Sequence, residues 1–134
     1  MSATDERGLV FKVIVIGDAT VGNLRANFYQ GSSAAIIVFS QENTERGIKS
    51  IDHINKWYEN IKKRCGSIPI ILFGNKSDLI DTNTLERNKK RAETIMNQYR
   101  FLSYYPTSAL TGDGVISAFD TLVIKLIELY KSFA

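Results

Sequence analysis

Residues able to do binding chemistry sit in three short stretches. The first, Gly17-Asp18-Ala19-Thr20-Val21-Gly22, places two glycines at the spacing of a loop whose backbone N–H groups wrap phosphates. Such a loop normally continues with a lysine that reaches the outer phosphates and a Ser or Thr that holds Mg²⁺. Asn23 and Leu24 stand at those two positions. The second stretch is Asn75-Lys76-Ser77-Asp78 and the third is Thr107-Ser108-Ala109-Leu110. A carboxylate accepts two hydrogen bonds side by side. Asp78 can therefore pair with the ring N–H and exocyclic amino group of guanine, an arrangement that adenine does not present. Asn75 can tie the loops together, and the aliphatic stem of Lys76 can lie along the face of the base. A backbone N–H near Ala109 can meet the guanine carbonyl oxygen.

These stretches need a scaffold that brings them together. Residues 11–16, Phe-Lys-Val-Ile-Val-Ile, are apolar on both faces and end at a glycine, the pattern of a buried parallel strand. Ala34 to Phe39 and Pro69 to Gly74 repeat that pattern, and Phe101 to Pro106 can form a fourth strand. Between them, residues 23–31 predict two turns of helix with Leu24, Phe28 and Tyr29 inward. Ile48, Ile51, Ile54, Trp57, Tyr58 and Ile61 predict one long helix stopped by Gly66. Leu85 to Tyr99 predicts a further helix with Ala92, Ile95, Met96 and Tyr99 inward and the Arg87 to Arg91 charges outward. Val115 to Tyr130 predicts the last, with Ile116, Phe119, Val123, Leu126, Ile127 and Tyr130 buried. The order β-α-β-α-β-α-β-α calls for an α/β fold: a mostly parallel sheet of about four strands with helices on both faces. Its ligand crevice lies at the carboxyl ends of the strands, where the three stretches converge.

Composition excludes several classes. The 134 residues suit one domain, and 44% hydrophobic with 23% charged residues is ordinary for a folded globular chain. The net charge of +3 comes with basic runs at Lys62-Lys63-Arg64 and Arg87 to Arg91 that read as solvated helix faces, so no nucleic-acid partner is expected. One cysteine, Cys65, and one histidine, His53, make neither a disulfide nor a zinc set. His53 reads as a surface or boundary residue and Trp57 as core. No apolar run spans a bilayer, residues 1–8 are not signal-like, and Lys131 to Ala134 lacks a prenylation cysteine. A cytoplasmic protein without a direct membrane anchor is the expectation. A receiver domain would want clustered acids after the first strand, where only Asp18 is suitably placed. Gly17 to Gly22 is not the Gly-x-Gly-x-x-Gly of a dinucleotide fold.

The chain resembles a Rab or Ras-type small GTPase, a P-loop NTPase. The resemblance is carried by Lys12 to Gly22, by Phe28 to Phe39, by Asn75-Lys76-Ser77-Asp78 after its strand, and by Thr107-Ser108-Ala109-Leu110. It implies a GTP-binding vesicle-traffic switch and a nucleotide site formed by Gly17, Asp18, Ala19, Thr20, Val21, Gly22, Asn75, Lys76, Asp78, Ser108, Ala109 and Leu110. One departure stands out. In the family the phosphate loop opens a full helix, followed by switch I with its Mg²⁺-binding threonine, two antiparallel strands, and the Asp-x-x-Gly-Gln of switch II. Here Gly22-Asn23 runs into Leu24 to Tyr29, which resembles the segment after switch II.

The resemblance thus describes residues 1–134 as a single truncated small GTPase-like domain. It lacks the body of the first helix, switch I, two strands and the switch II motif. No catalytic residue and no metal ligand can be assigned, Mg²⁺ is not expected to be held by side chains, and the GTP/GDP site is expected to be weak. Whether the chain is an enzyme stays open at this point. The alternatives are a non-enzymatic pseudo-GTPase module, or a splice or gene-model product of an ordinary Rab-like switch. The first strand is expected to become an open sheet edge with an apolar patch near Phe11 to Ile16, where a protein partner would bind.

Overall fold

A computed structural model describes residues 2–4, 10–18, 26–108, 111, 112 and 114–133. Four parallel strands lie side by side in chain order: β2 (Val10–Gly17), β3 (Ala34–Ser40), β4 (Ile70–Asn75) and β5 (Ser103–Pro106). Their register sets Ile14 beside Ala35, Ile37 beside Leu72, and Leu72 beside Tyr104. In the middle of the sheet Ala34, Ala35, Ile36 and Ile37 are wholly buried, because both faces are covered.

The edge differs from the sequence expectation. A short strand β1 (Ser2–Thr4) pairs antiparallel with β2, matching Thr4 to Val10, Ala3 to Phe11 and Ser2 to Lys12. The expected open edge is therefore covered over Val10 to Lys12. The expected apolar patch is also mostly absent: Phe11, Val13, Ile14 and Ile16 are buried, leaving Val10 and Val15 at 67% and 38% exposure. Strand addition is a backbone interaction, so the polar composition of residues 1–8 gave no sign of it.

One face of the sheet carries α1 (Ala26–Tyr29), α2 (Glu45–Asp52), α3 (Ile54–Cys65) and α4 (Thr82–Tyr99), which pack Tyr29, Ile51, Ile54, Ile61 and Ala92 against Ile14, Ile16, Ile37 and Leu72. The other face carries α5 (Val115–Phe133), packed through Ala118, Leu122 and Leu126 on Phe11, Val13, Ile36 and Phe73. Each such buried aliphatic side chain contributes about 1.5–3 kcal/mol.

Several helices depart from the predicted pattern. The described part of residues 23–31 gives one turn of helix, Ala26–Tyr29, before Gly31 at φ 73°; Asn23, Leu24 and Arg25 lie outside the described residues. The long helix is two, broken at His53, and Ile48 is 43% exposed instead of inward. α4 starts three residues earlier than Leu85 because the Asp81 carboxylate caps it, accepting from the Thr84 N–H at 2.7 Å. That bond holds the Asp81 carboxyl below its ordinary range. On α5 the fully buried positions are Ala118, Leu122 and Leu126, whereas Ile116 and Tyr130 are 76% and 46% exposed. The inner stripe of α5, which among the described helices is the one on that face, is narrower than a count of its apolar residues suggests.

Candidate functional site

The carboxyl ends of β2, β3 and β4 border a crevice of about 470 Å³. Its wall includes Gly17 and Asp18 from the end of β2, Ser40 and Glu42 after β3, Thr44, Arg46, Gly47 and Ser50 around α2, and Asn75 and Lys76 after β4. Local packing fixes this wall. A Cβ at Gly17 would come within 2.4 Å of the Val38 carbonyl, so glycine permits the close approach of β2 and β3. Thr44 caps α2 by accepting from the Gly47 N–H, and the Ser50 hydroxyl accepts from the Ser40 N–H at 2.9 Å, pinning α2 to the end of β3.

At the Asn75 to Asp78 end the loops after β4 and β5 are cross-linked. Lys76 is left-handed at φ 67° and leads into a single 3₁₀ turn at Ser77–Leu79. The Ser77 N–H donates to the Thr107 carbonyl at 3.0 Å, and the Thr107 N–H donates to the Gly74 carbonyl at 2.8 Å. Ser108 Oγ donates to Asp78 Oδ1 at 2.8 Å, holding an otherwise exposed carboxylate. The side chain of Asn75 ties the loops only loosely, with Thr107 Oγ1 at 3.5 Å, the outer limit of a hydrogen bond. Its backbone does more, since the Asn75 carbonyl accepts from the Gln41 N–H at 3.0 Å. Lys76 Nζ meets Glu42 Oε1 at 2.6 Å, so this ammonium is paired across the crevice wall. Asp78 and Ser108 lie beyond the residues that line the crevice itself.

At the end of β2, Asp18 turns toward the break between α2 and α3. Its Oδ2 accepts from His53 Nδ1–H at 2.7 Å and its Oδ1 from Trp57 Nε1–H at 3.0 Å. His53 is thus a surface histidine, as its isolation suggests, and Trp57 is a half-buried residue that uses its polar edge. Ala19, Thr20, Val21 and Gly22 of the phosphate loop lie outside the described residues, as do Ala109 and Leu110 of the third stretch. Among the described residues, no group of three His, Cys, Asp or Glu side chains is placed to hold a metal. No described helix is long and apolar enough to cross a membrane.

Residues that sequence reasoning missed are the supports. Gln41 and Asn88 are 1% and 3% exposed; Asn88 falls on the inward stripe of α4 at helical spacing from Ala92 but is polar, and Gln41 sits in a polar turn with no periodic signal. Tyr104 turns a buried hydroxyl against Gly74; burial pushes its pKa up to about 12, an effect that the neighbouring Gln41 amide offsets in part. That hydroxyl makes no hydrogen bond of acceptable geometry.

A four-stranded parallel sheet with helices on both faces and loops gathered at its strand ends is an α/β fold. A model of the Ras family matches residues 17–128, and the chain belongs to that family, among the Rab-type small GTPases. It is 30% identical over 155 positions to the putative Ras-related protein RABA4e of Arabidopsis thaliana, covering 94% of this chain and 83% of that protein. It is 33% identical over 105 positions to Ras-related protein RABA4a of Arabidopsis thaliana, covering 76% of this chain and 42% of that one. The GTP-binding protein ypt3 of Schizosaccharomyces pombe is 28% identical over 106 positions, with coverage of 78% and 46%. The chain thus spans less than half the length of the last two relatives. Guanine nucleotide binding is the general property that family membership brings.

Proposed function

We propose that this chain is a Rab-like protein that keeps the guanine-reading half of the site, binds GDP and GTP weakly and without useful preference, and does not hydrolyse GTP at a meaningful rate. The observation that carries this reading is the cross-linked pair of loops in which Ser108 holds Asp78 at 2.8 Å. That contact presents a carboxylate from a fixed backbone, as recognition of an amidine-like base edge requires.

The weakness follows from the other end. Asn23 and Leu24 stand where a lysine and a hydroxyl would hold the outer phosphates and Mg²⁺. Losing the lysine contact alone removes about 1.5–3 kcal/mol, roughly tenfold to a hundredfold in affinity. Asp18 adds a carboxylate to the wall of the crevice, where phosphate charge would lie. Hydrolysis needs an oriented water and compensation of transition-state charge, and this chain has no segment matching either switch. An internal block missing between Gly22 and Leu24 accounts for all of these losses. In support, RABA4e aligns over 155 positions while using 94% of a 134-residue chain, so part of that relative lies opposite no residue here.

A titration with fluorescent GDP tests the reading, with Asp78→Ala as control. Weak saturable binding that Asp78→Ala abolishes is the expected result. Binding as tight as that of an ordinary small GTPase, or Mg²⁺-dependent turnover at an ordinary rate, would overturn it. A product of an interrupted gene is separated from a natural variant by reading the transcript across the codons for Gly22 to Leu24.

A further inference from the structure

Gln41 follows β3 in a polar turn, yet it is 1% exposed. Its backbone N–H donates to the Asn75 carbonyl at 3.0 Å, and its side-chain Nε2 donates to the Gly74 carbonyl at 2.8 Å. One residue therefore grips two successive peptide groups at the point where β4 becomes the base-reading loop. Gln41 is itself held from α4: Asn88 Nδ2 donates to its backbone carbonyl at 3.0 Å and approaches its Oε1 at 3.3 Å. The same Gly74 carbonyl accepts from the Thr107 N–H at 2.8 Å, and the Thr107 carbonyl accepts from Ser77 at 3.0 Å. Glycine at position 74 is what admits the peg, since a Cβ there would lie 2.8 Å from Gln41 Nε2 and 2.7 Å from Tyr104 Oη.

We propose that Gln41, braced by Asn88, is a positioning residue that sets the selectivity of the guanine-reading loop by fixing the Gly74-Asn75 peptide against the loop bearing Ser108. The proposal rests on the guanine-nucleotide reading above and adds to it a buried polar support outside the base-reading stretches. The physical ground is that a buried amide must satisfy its donors and acceptors, and here satisfying them requires one relative placement of β3, β4 and α4. A hydrophobic residue at position 41 would fill the space without dictating that placement. Gln41 reaches the base only through the loop, so its effect falls on discrimination more than on affinity as such.

Gln41→Leu tests this, because Leu has similar bulk, the Gly74 carbonyl keeps its Thr107 partner, and Asn88 keeps the backbone carbonyl of residue 41. Gln41→Met, unbranched and of similar length, serves if the Leu variant fails to fold. Guanosine and inosine diphosphates, which differ only in the exocyclic amino group that Asp78 would read, are titrated into the full chain. The expected result is that the guanosine preference falls about tenfold in the variant, with faster amide exchange at Ser77 and Thr107. Equal weakening toward both nucleotides, with the ratio unchanged, would overturn the proposal. If the unaltered chain bound neither nucleotide, the functional reading would fail while exchange at Ser77 and Thr107 still judged the peg. Faster exchange in the variant would support it and unchanged protection would overturn it.

Discussion

The two ends of the crevice are built on opposite principles. At the base end the loop Asn75 to Asp78 is held from three sides, by Gln41 through Asn75 and Gly74, by Thr107 through Ser77, and by Ser108 through Asp78. Of the described residues of the Gly17 to Gly22 stretch, Asp18 spends its carboxylate on His53 and Trp57. One loop is tied so that a carboxylate faces outward on a fixed frame; the other is tied by the carboxylate itself. On the proposed reading, the chain keeps one half of a binding site and not the other. Base recognition needs a positioned side chain supported by its neighbours, whereas phosphate recognition needs a lysine, a metal and mobile switches in addition to a loop.

The largest effect should separate the two ends directly. Asp78→Ala is expected to lower GDP affinity by about tenfold to a hundredfold, the loss of hydrogen bonds to a charged acceptor. Asp18→Ala should leave it unchanged or raise it, since it removes a negative charge from the crevice wall. Calorimetric titration of the two variants would break the comparison if Asp18→Ala were the more damaging. Asp18→Ala should also shift the emission of Trp57, the sole tryptophan, and cost about 0.5–1 kcal/mol of stability, as befits a partly solvated pair.

Next in size is Tyr104→Phe, which removes a buried hydroxyl that lacks a good hydrogen bond. Stability in urea should rise by about 1 kcal/mol, with base binding intact if Gln41 alone positions the loop. The hydroxyl also predicts an alkaline limb. Its folded pKa of about 12 lies above the ordinary 10.0, so the folded state holds the proton more firmly. Stability is fully present below pH 10 and is lost as pH rises toward 12, a loss that Tyr104→Phe should reduce. The smallest expected effect is none. Asn23→Lys combined with Leu24→Thr should produce no Mg²⁺-dependent phosphate release, because two restored side chains do not supply the switch residues. Turnover in that double variant would place the defect at those two positions instead of in a missing block.

Much of this could be read from the sequence for a definite reason. Strands buried on both faces are written as unbroken runs such as Ala34 to Phe39, and the loops that follow them must gather at one edge of a parallel sheet. The convergence of Asn75-Lys76-Ser77-Asp78 and Thr107-Ser108 at one edge needed only that geometry, and hydrogen bonds join the two loops. Periodicity misplaced Ile116 and Tyr130 because it locates the apolar arc of a helix without saying how much of that arc has a partner. It also ran α2 and α3 together, since His53 interrupts neither the apolar spacing nor every backbone bond. The His53 N–H still reaches the Lys49 carbonyl, and the His53 carbonyl still accepts from Trp57.

What the sequence by itself determined, then, is the class of sheet, the family, and which loops gather at its carboxyl edge, because these depend on local patterns and on short motifs. What only the tertiary structure decided is which residues hold those loops in place. The strand Ser2–Thr4 adds a partner to the β2 edge, and the grip of His53 and Trp57 on Asp18 and the Gln41-Asn88 brace join residues far apart in the chain. Gln41 and Asn88 carry polar side chains of a kind that more often lies at the surface, so residue type alone does not mark them as interior. Burial, which exists only after the sheet and helices have packed, turns their hydrogen bonds into constraints.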